Sequence, residues 1–474
     1  MRIVHWFRKD LRLSDNSALH HAVQDAKGDV VPLYVGEPAI LTRPDMCGRR
    51  VRFVLDTLRA LEKDVKSVGG KLILRHGDAA KIVAAVAREV GADAVYWNEE
   101  YEPALRARDR AVADALERQG TRCVRFHDRL LVAPGEVRTQ EGNPFTVFTP
   151  FQRACLLVPQ EESLPRVAKL AAARAETRPV ARAEDLLPKL GLEHGTDEIP
   201  DAGEAAAKAR WIRFAPRLAE YAEDRDRMDV DGTSRLSIDL KFGTISPRTL
   251  AALVFAAAKE KPAARKGAEK YVSEMRWRDF YAHVLFHFPH VEKRSFRPEY
   301  DSLRWEENPR HLEAWIEGRT GYPVVDAAMR CLRATGWMHN RARMIVASFL
   351  VKDLGLDWRQ GERHFMRELL DGDLASNNGG WQWAASTGTD AAPYFRIFNP
   401  VLQGKKFDPD GAFVKKWIPE LAGVPGDRIH APWELTPIEL AAARVTLGKS
   451  YPKPIVDHGE ARGRTMARFA AVKG

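Results

Sequence analysis

Four side chains of complementary chemistry follow helical spacing between Glu274 and Tyr281. Glu274, Trp277, Arg278 and Tyr281 stand at positions i, i+3, i+4 and i+7, so a helix presents an acid, an indole, a guanidinium and a phenol on one face. Such a face suits a binding site. An amphipathic helix that buries Trp277 and Tyr281 and pairs Glu274 with Arg278 at its rim has the same pattern, and both interpretations stay open.

The segment from Trp337 to Met344 combines apolar and polar side chains. Asn340 and Met344 lie one helical turn apart on one face, with Arg343 beside them. A methionine in such a position is more often part of the core than of a binding site. An asparagine in a largely apolar helix needs hydrogen-bond partners, and this favours a functional role for Asn340.

The densest polar loop runs from Asp371 to Trp383. It contains a second acid, Asp373, the neighbouring amides Asn377 and Asn378, and a glycine pair. Tight polar turns between helices often bind ligands, although a loop that only caps the next helix has a similar composition. We expect a ligand site here.

A turn rich in hydroxyl groups occupies residues 233–237, with the sequence Thr-Ser-Arg-Leu-Ser. Its hydroxyls, its arginine and its backbone amides can hold a phosphate or a pyrophosphate. Turns of this composition are also common without any ligand. The turn therefore supports an anion site only in combination with other segments.

Bulk composition limits the class of protein. The 474 residues suffice for two or three domains, and 45% hydrophobic with 29% charged residues is ordinary for a globular protein. The N-terminal apolar run ends at Arg8, which is too short for a signal peptide or a membrane span. A net charge of +9 favours a polyanionic partner such as nucleic acid, although a merely basic protein fits it as well.

Four cysteines lie far apart and lack the paired spacing of zinc sites: Cys47, Cys123, Cys155 and Cys331. We expect no metal site and no membrane association. A reducing, cytoplasmic location fits these cysteines best.

Residues 1–130 alternate short β-rich runs with amphipathic stretches. The strand signals are Ile3–Phe7, Val30–Val35, Lys71–Leu74, Ala94–Trp97 and Arg122–Phe126. This βαβ rhythm predicts a parallel sheet covered by helices on both faces. No G-x-G-x-x-G follows the first strand, so a dinucleotide-binding Rossmann site is not indicated.

The rest of the chain has a different pattern. Residues 131–202 contain eight prolines and little periodicity, and we predict an interdomain linker there. From residue 203 to 474 the pattern is helical almost throughout, with Ser246 and Pro247 as an N-cap and first helical position. The predicted fold class is α/β: an N-terminal Rossmann-like parallel α/β domain, a long linker and a C-terminal all-helical domain.

Together these segments closely resemble the photolyase–cryptochrome family, and specifically its bacterial, class I-like photolyases of cyclobutane pyrimidine dimers. The similarity begins at Trp6–Asn16 and is densest from Tyr271 to Lys416. The stretches Gly321–Met329 and Asn377–Trp383 are its most specific parts.

The resemblance implies an α/β antenna domain and a helical domain that holds FAD in a U-shape. Asp371 and Asp373 are implied to contact the flavin and ribose region, Arg343 to pair with Asp371, and Asn377 to face flavin N5. Plant cryptochromes carry Asp at the position of Asn377, and animal ones commonly Cys. The implied FAD-binding residues are Tyr221, Thr233, Ser234, Arg235, Leu236, Ser237, Tyr271, Glu274, Arg278, Trp337, Asn340, Arg343, Asp371, Asp373 and Asn377.

The implied activity is repair of DNA that contains cyclobutane pyrimidine dimers, by a monomeric enzyme. Photoexcited, fully reduced FAD donates an electron to a flipped-out dimer, the ring splits, and the electron returns. Glu274 is implied to hydrogen-bond the pyrimidine edge, and Asn340 to bridge flavin and substrate. The implied DNA and substrate contacts are Arg225, Glu274, Trp277, Arg278, Tyr281, Asn340, Arg341, Met344, Trp383, Arg396, Gln403 and Lys406.

Three tryptophans, Trp381, Trp358 and Trp305, match the electron-transfer chain of the family from flavin to surface. The implied role of this chain is to reduce oxidised flavin in light, and it takes no direct part in repair. Without the resemblance, core packing explains each of these residues at least as well.

The α/β domain is implied to bind a second chromophore. Lys241, together with Glu100 and Glu102, resembles residues of relatives that bind 8-hydroxy-5-deazaflavin. Relatives that bind methenyltetrahydrofolate usually place Glu at the position of Leu105 and Cys at that of Glu292, so the deazaflavin is favoured. The lysine and the two acids are equally compatible with ordinary surface charges.

Three alternative functions remain. A photolyase of (6-4) photoproducts typically carries a histidine pair where His339 and Asn340 stand. A cryptochrome photoreceptor is disfavoured by Asn377 and by the short tail after Pro454. A generic basic nucleic-acid-binding module predicts that the purified protein carries no yellow chromophore.

Overall fold

The computed structural model describes residues 1–172, 175–193 and 199–473. Parts of the predicted linker, residues 173–174 and 194–198, lie outside the described residues, as does residue 474 of the predicted helical domain. The chain divides into two compact units: the first comprises Met1–Ala222 and Ser234–Pro289, and the second comprises Glu223–Thr233 and the chain from His290 onward. The domain boundaries near residues 130 and 203 stay predictions.

The first unit contains a parallel sheet, as predicted. Its strands follow the order β3-β2-β1-β4-β5, and every neighbouring pair is parallel. The strands are β1 (Ile3–Phe7), β2 (Val30–Gly36), β3 (Ile73–His76), β4 (Ala94–Asn98) and β5 (Arg122–Phe126).

Both faces of this sheet are buried. In β1, Ile3 and Phe7 belong to one apolar cluster and Val4 and Trp6 to another, because successive side chains of a strand point to opposite faces. Strand order reverses between β1 and β4, and ligands of open α/β sheets bind beside the carboxyl ends of the strands at such a point.

The helices of the first unit cover the sheet and continue into a helical region. They are α1 (Ser17–Asp25), α2 (Pro38–Leu41), α3 (Gly48–Ser67), α4 (Ala79–Glu89), α5 (Pro103–Glu117), α6 (Phe148–Cys155), α7 (Ala183–Leu186), α8 (Glu204–Phe214), α9 (Tyr221–Asp224, at the boundary of the two units), α10 (Ser237–Phe242), α11 (Pro247–Glu260) and α12 (Arg265–His287). Ser246 accepts hydrogen bonds from two backbone amides of α11, which confirms the predicted N-cap.

The second unit is helical. Its helices are α13 (Pro309–Glu317), α14 (Pro323–Thr335), α15 (Asn340–Ser348), α16 (Trp358–Glu368), α17 (Leu374–Ala385), α18 (Pro400–Phe407), α19 (Ala412–Trp417), α20 (Pro437–Ala442) and α21 (His458–Lys473). A π-helical turn (Phe349–Asp353) continues α15. Proline occupies the first position of α13 and α14, and each helix is followed by a left-handed glycine, Gly318 and Gly336.

These observations confirm the predicted fold class, an α/β region followed by a helical one. The core of the second unit packs Val325, Leu332 and Val346 together with the buried rings of Trp315, Trp358 and Trp381. No helix among the described residues is long and apolar enough to cross a membrane.

Candidate functional site

The polar face of α12 lies in the first unit. Glu274 forms an ion pair with Lys270 at 3.1 Å (Oε1 to Nζ), and Arg278 donates to the backbone carbonyls of Arg129 at 2.7 Å and Leu240 at 3.2 Å. Arg278 therefore ties α12 to two other segments. The Glu274 side chain stays about a quarter exposed.

Aromatic residues of α12 have partners of their own. The ring of Trp277 stacks on Phe148, with centroids 3.7 Å apart and planes 10° from parallel, and lies 5.6 Å from the ring of Tyr281. Trp277 thus has one face covered by protein. A ligand that stacks on this indole has to use the other face.

Asp279 is a residue that the sequence analysis missed. Its buried carboxylate accepts from the backbone N–H groups of Leu131 at 2.8 Å and Val132 at 3.4 Å, and His283 bonds the carbonyl of Val132. Burial raises the pKa of Asp279 to about 7, against the opposing charge of Arg278. Asp279 fixes the start of the predicted linker on α12, and no local pattern in the sequence distinguishes it from a solvated acid.

The hydroxyl-rich turn is held by tyrosines. Ser234 Oγ lies 2.7 Å from Tyr271 OH, and the rings of Tyr221 and Tyr271 are 5.1 Å apart. Arg235 has a φ of +54°, a left-handed conformation that side chains other than glycine rarely adopt. Such turns aim successive backbone N–H groups into a concavity that binds anions. Thr233 belongs to the second unit, whereas Ser234–Ser237 belong to the first.

Arg343 and Asp371 form an ion pair in the second unit, as expected from the resemblance. Arg343 NH2 lies 3.1 and 2.9 Å from the two carboxylate oxygens, and its Nε donates to the carbonyl of Met338 at 2.9 Å. The Asp371 carboxylate is 4% exposed. These bonds fix both side chains before any ligand binds.

Asn377 is held in one orientation by α16. Its Nδ2 donates to the backbone carbonyl and to the Oε1 of Glu362, both at 3.0 Å. The amide oxygen of Asn377 remains as an acceptor for an N–H donor. Asp373 caps α17 by accepting from Ser376 N at 3.2 Å, so the loop has the capping role that the sequence left open.

Asn340 begins α15 with an exposed side chain. Within the described residues, its amide makes one hydrogen bond, a weak one of 3.9 Å from Nδ2 to Met344 Sδ. His339 caps the helix, with Nδ1 accepting from Arg341 N at 3.1 Å, and its ring lies 6.3 Å from that of Trp337. Burial lowers the pKa of His339 to about 4, so this imidazole is neutral at physiological pH.

The three tryptophans of the predicted electron-transfer chain belong to one apolar cluster of the second unit. Trp381 and Trp358 are buried, whereas Trp305 is partly exposed. The buried indole N–H groups of Trp381 and Trp358 have no hydrogen-bond partner among the described residues. Trp315, which the sequence analysis did not single out, lies 6.0 Å from Trp381, centroid to centroid.

A cavity of about 410 Å³ lies in the second unit. Four of the implied DNA and substrate contacts line it, namely Arg341, Arg396, Gln403 and Lys406. Another implied contact, Arg225, does not line it but lies 3.7 Å from the carboxylate of Asp226, which does. The remaining lining residues are Glu223, Arg227, Phe398 and Phe407.

Two further implied substrate contacts, Trp383 and Met344, lie in the second unit. Trp383 packs against the core of the second unit, with its ring 6.4 Å from that of Phe398 on the cavity wall. Met344 is partly buried on α15. The structure thus places Trp383 beside the cationic cavity, and Trp277 in the first unit.

The three predicted antenna residues lie together in the first unit and are buried. Glu102 contacts Lys9 and lies 3.8 Å from Lys241 Nζ, and Glu100 contacts Arg129 and lies 3.6 Å from Lys9. Although burial opposes ionisation, Arg129 and Lys9 hold the pKa of Glu100 at about 2. The interpretation as ordinary surface charges is therefore wrong.

This charged cluster stands where the strand order reverses. Lys9 follows the end of β1, and Glu100 and Glu102 follow the end of β4. Buried charges at the carboxyl ends of parallel strands mark the usual ligand position of such sheets.

Two family models match the chain. The model described as "DNA photolyase" matches residues 3–169, and the model described as "FAD binding domain of DNA photolyase" matches residues 271–471. Together they cover the sheet and nearly all of the second unit.

Individual relatives are similar over the whole chain. The deoxyribodipyrimidine photo-lyase of Escherichia coli is 43% identical over 99% of this chain and 98% of its own. The crystal structure of a bacterial class III photolyase from Agrobacterium tumefaciens matches with a TM-score of 0.91 at 39% identity, covering 100% of this chain and 98% of its own. A cryptochrome from Synechocystis matches with a TM-score of 0.89 at 28% identity, with 98% of each chain covered.

Proposed function

Because the chain belongs to the DNA photolyase family, we propose that it is a deoxyribodipyrimidine photo-lyase that splits cyclobutane pyrimidine dimers in DNA with blue light. One observation carries this conclusion: an enzyme of that name is 43% identical over 99% of the chain. The cationic cavity, the oriented amide of Asn377 and the Arg343–Asp371 pair supply the matching chemistry.

FAD, when bound, supplies the light-absorbing redox centre that gives an electron to the dimer and takes it back. The residues present fit this cofactor. The left-handed turn at Arg235 offers backbone donors to a pyrophosphate, and the fixed Asn377 offers a carbonyl oxygen to the N–H of a reduced flavin ring. The Trp381 indole N–H is a buried donor without a partner among the described residues.

We propose that the implied FAD contacts form two groups. Ser234–Ser237 and Tyr271 act on the phosphates, and Tyr221 supports Tyr271. Asp371, Asp373 and Asn377 act on the flavin and ribose region, and Arg343 holds Asp371 in place. The remaining proposed contacts are Thr233, Glu274, Arg278, Trp337 and Asn340.

Glu274 is the proposed hydrogen-bonding partner of the dimer. Negative charge develops on the pyrimidine carbonyls when the dimer accepts an electron, and a donor aimed at them stabilises it. A carboxyl group donates only when protonated, whereas a carboxylate accepts from the pyrimidine N–H. Before DNA binds, the Glu274 side chain is paired with Lys270, whose Nζ lies 3.1 Å from its Oε1.

DNA binding is proposed to use the cavity of the second unit. Arg341, Arg396 and Lys406 supply positive charge for phosphates, and Gln403 brings a buried Oε1 that lacks a hydrogen-bond partner among the described residues. Extruding a damaged pyrimidine pair from the stack requires only a few kcal/mol, so backbone contacts suffice to stabilise the extruded form.

Two further roles are proposed from the resemblance. Trp381, Trp358 and Trp305 pass electrons to oxidised flavin in light, and their graded burial supports this direction. The buried cluster of Glu100, Glu102 and Lys241 holds an antenna, for which 8-hydroxy-5-deazaflavin is a better candidate than methenyltetrahydrofolate. The free cysteines support a reducing, cytoplasmic location, and we propose a monomer.

A light-dependent repair assay tests the proposal. The purified protein, with its flavin reduced, is mixed with an oligonucleotide that carries one thymine dimer and is kept in blue light or in the dark. We expect restored thymines only in light. A cryptochrome-type photoreceptor, the function named for the Synechocystis relative, predicts flavin photochemistry without restored thymines.

A further inference from the structure

The cavity of the second unit contains two acidic residues, Glu223 and Asp226, among its cations. Arg341, Arg396 and Lys406 carry positive charge on its wall, and Asp226 carries negative charge beside them. A carboxylate repels DNA phosphates at the distances of such a cavity. Its presence in a phosphate-binding site therefore needs an explanation.

Asp226 contacts Arg341, one of the cations of the cavity. Its Oδ1 lies 3.0 Å from Arg341 NH2, and 3.7 Å from NH1 of Arg225. Within the described residues, neither Arg396 nor Lys406 forms an ion pair, and both are exposed. Arg341 is thus neutralised in the DNA-free protein, whereas these two cations are not.

Other contacts hold Arg341 in place. Its guanidinium lies over the ring of Phe407, 4.3 Å from the centroid, and its backbone N–H donates to His339. The segment that carries Asp226 is tied to the same ring residue, because Met228 N donates to the carbonyl of Phe407 at 2.9 Å. Asp226 is therefore attached to the cavity wall.

The ion pair between Asp226 and Arg341 is weaker than the pair that a DNA phosphate would form with Arg341. The buried Oδ1 of Asp226 makes no well-aligned hydrogen bond with any described residue, although Arg341 lies within ion-pair distance. A phosphate can accept two parallel N–H bonds from a guanidinium, and such bidentate pairs are stronger. A phosphate that enters the cavity can displace Asp226 from Arg341.

We propose that Asp226 is an internal substitute for a DNA phosphate: it positions Arg341 in the free protein and competes with DNA for it. This inference rests on the proposed function of the cavity. Asp226 is a positioning residue that weakens binding to every DNA, damaged or not, and so limits the time that the enzyme spends on undamaged sequence.

Competition has two measurable consequences. Removing the charge of Asp226 strengthens binding of undamaged and dimer-containing duplexes by the same factor, up to about fivefold for a partly exposed ion pair. In that variant Arg341 can pair with a DNA phosphate without first breaking its ion pair with Asp226. The slope of log K against log salt should therefore become steeper by about 0.9.

The experiment measures Kd by fluorescence anisotropy for two duplexes that differ by one thymine dimer, in the dark and at several salt concentrations. The proteins are the wild type, Asp226→Asn, Arg341→Ala and the double variant. The control is Glu420→Gln, which changes the charge by the same amount at another ion pair, 2.6 Å from Arg330 NH1. We expect tighter binding in Asp226→Asn, little change in Glu420→Gln, and no effect of Asp226→Asn once Arg341 is absent.

Other outcomes contradict the proposal in distinguishable ways. If Asp226→Asn strengthens binding equally with and without Arg341, the residue is only a nearby negative charge. If it weakens binding, its role is structural. If Arg341→Ala leaves Kd unchanged for both duplexes, Arg341 does not bind DNA, and the proposed DNA contact at Arg341 fails together with this inference. If the protein repairs dimers in light but Asp226→Asn leaves Kd unchanged, the proposed function stands and only this role of Asp226 is removed.

Discussion

Gly361 makes room for Trp381, and replacing it with alanine should displace that indole. A Cβ on Gly361 of α16 would come within 2.0 Å of Trp381 Cη2 and 2.6 Å of Leu350 Cδ2. Ordinary contact begins at 3.4 Å, so the ring or the helix has to move by about 1.4 Å. Trp381 is 2% exposed and has little free space to move into.

The expected loss of stability combines two terms. Overpacking a buried site costs about 1–3 kcal/mol, and the rigid ring places this case in the upper half of that range. Alanine in a helix interior recovers about 1 kcal/mol relative to glycine. We therefore expect Gly361→Ala to lower the free energy of unfolding by about 1–2 kcal/mol.

Gly380→Ala is the matched control. Gly380 is exposed on α17, and a Cβ there meets nothing within 4 Å. This variant should gain up to about 1 kcal/mol. Urea unfolding measures both variants, and absorbance under blue light follows the reduction of oxidised flavin, which should slow in Gly361→Ala alone. Equal stability of the two variants, or normal photoreduction in Gly361→Ala, would refute the argument that this glycine positions Trp381.

Three more outcomes are expected. Glu274→Ala should lower the repair yield with FAD still bound, whereas Glu274→Gln, whose amide can still hydrogen-bond the pyrimidine edge, should retain more repair. Equal yields in wild type and Glu274→Ala, measured on a dimer-containing oligonucleotide, would remove this residue from the reaction. Trp381→Phe should abolish the main route of flavin photoreduction while repair by chemically reduced enzyme persists; normal photoreduction in transient absorption would disprove the assigned chain. Burial, with Arg468 nearby, lowers the pKa of Lys352 from 10.5 to about 7. The unfolded chain therefore binds this proton more tightly, and the free energy of unfolding falls as the pH drops from about 10.5 to 7. Lys352→Met should remove this pH dependence in unfolding experiments at about pH 7 and about pH 9.5, and an unchanged dependence would contradict the argument.

Much of the fold could be predicted because its signals are local. The strands β1 and β5 occur at the predicted bounds, and Ser246 caps α11 as predicted, since alternation and helix caps act within a few residues. The end of α15 carries no such local signal. Residues 349–353 form a π-helical turn, and an apolar periodicity does not distinguish such a turn from a continuing α-helix.

The residues that sequence reasoning missed act through distant partners. Asp279 bonds a segment nearly 150 positions away, and Asp226 meets Arg341 only because the chain returns to the same cavity. Neither carries a local pattern that separates it from a solvated acid. The proposed antenna residues were suggested by the resemblance. Their burial could not be predicted, because Glu100 is neutralised by Arg129 and Lys9 from other segments.

An action spectrum of dimer repair tests the central claim most directly. Repair of an oligonucleotide with one thymine dimer is measured across the near-ultraviolet and blue, and its efficiency is compared with the absorption of the same purified protein. We predict that repair follows the absorption of bound reduced flavin, together with that of any second pigment, and ceases in the dark. A colourless protein, or repair that does not depend on light, would contradict the account.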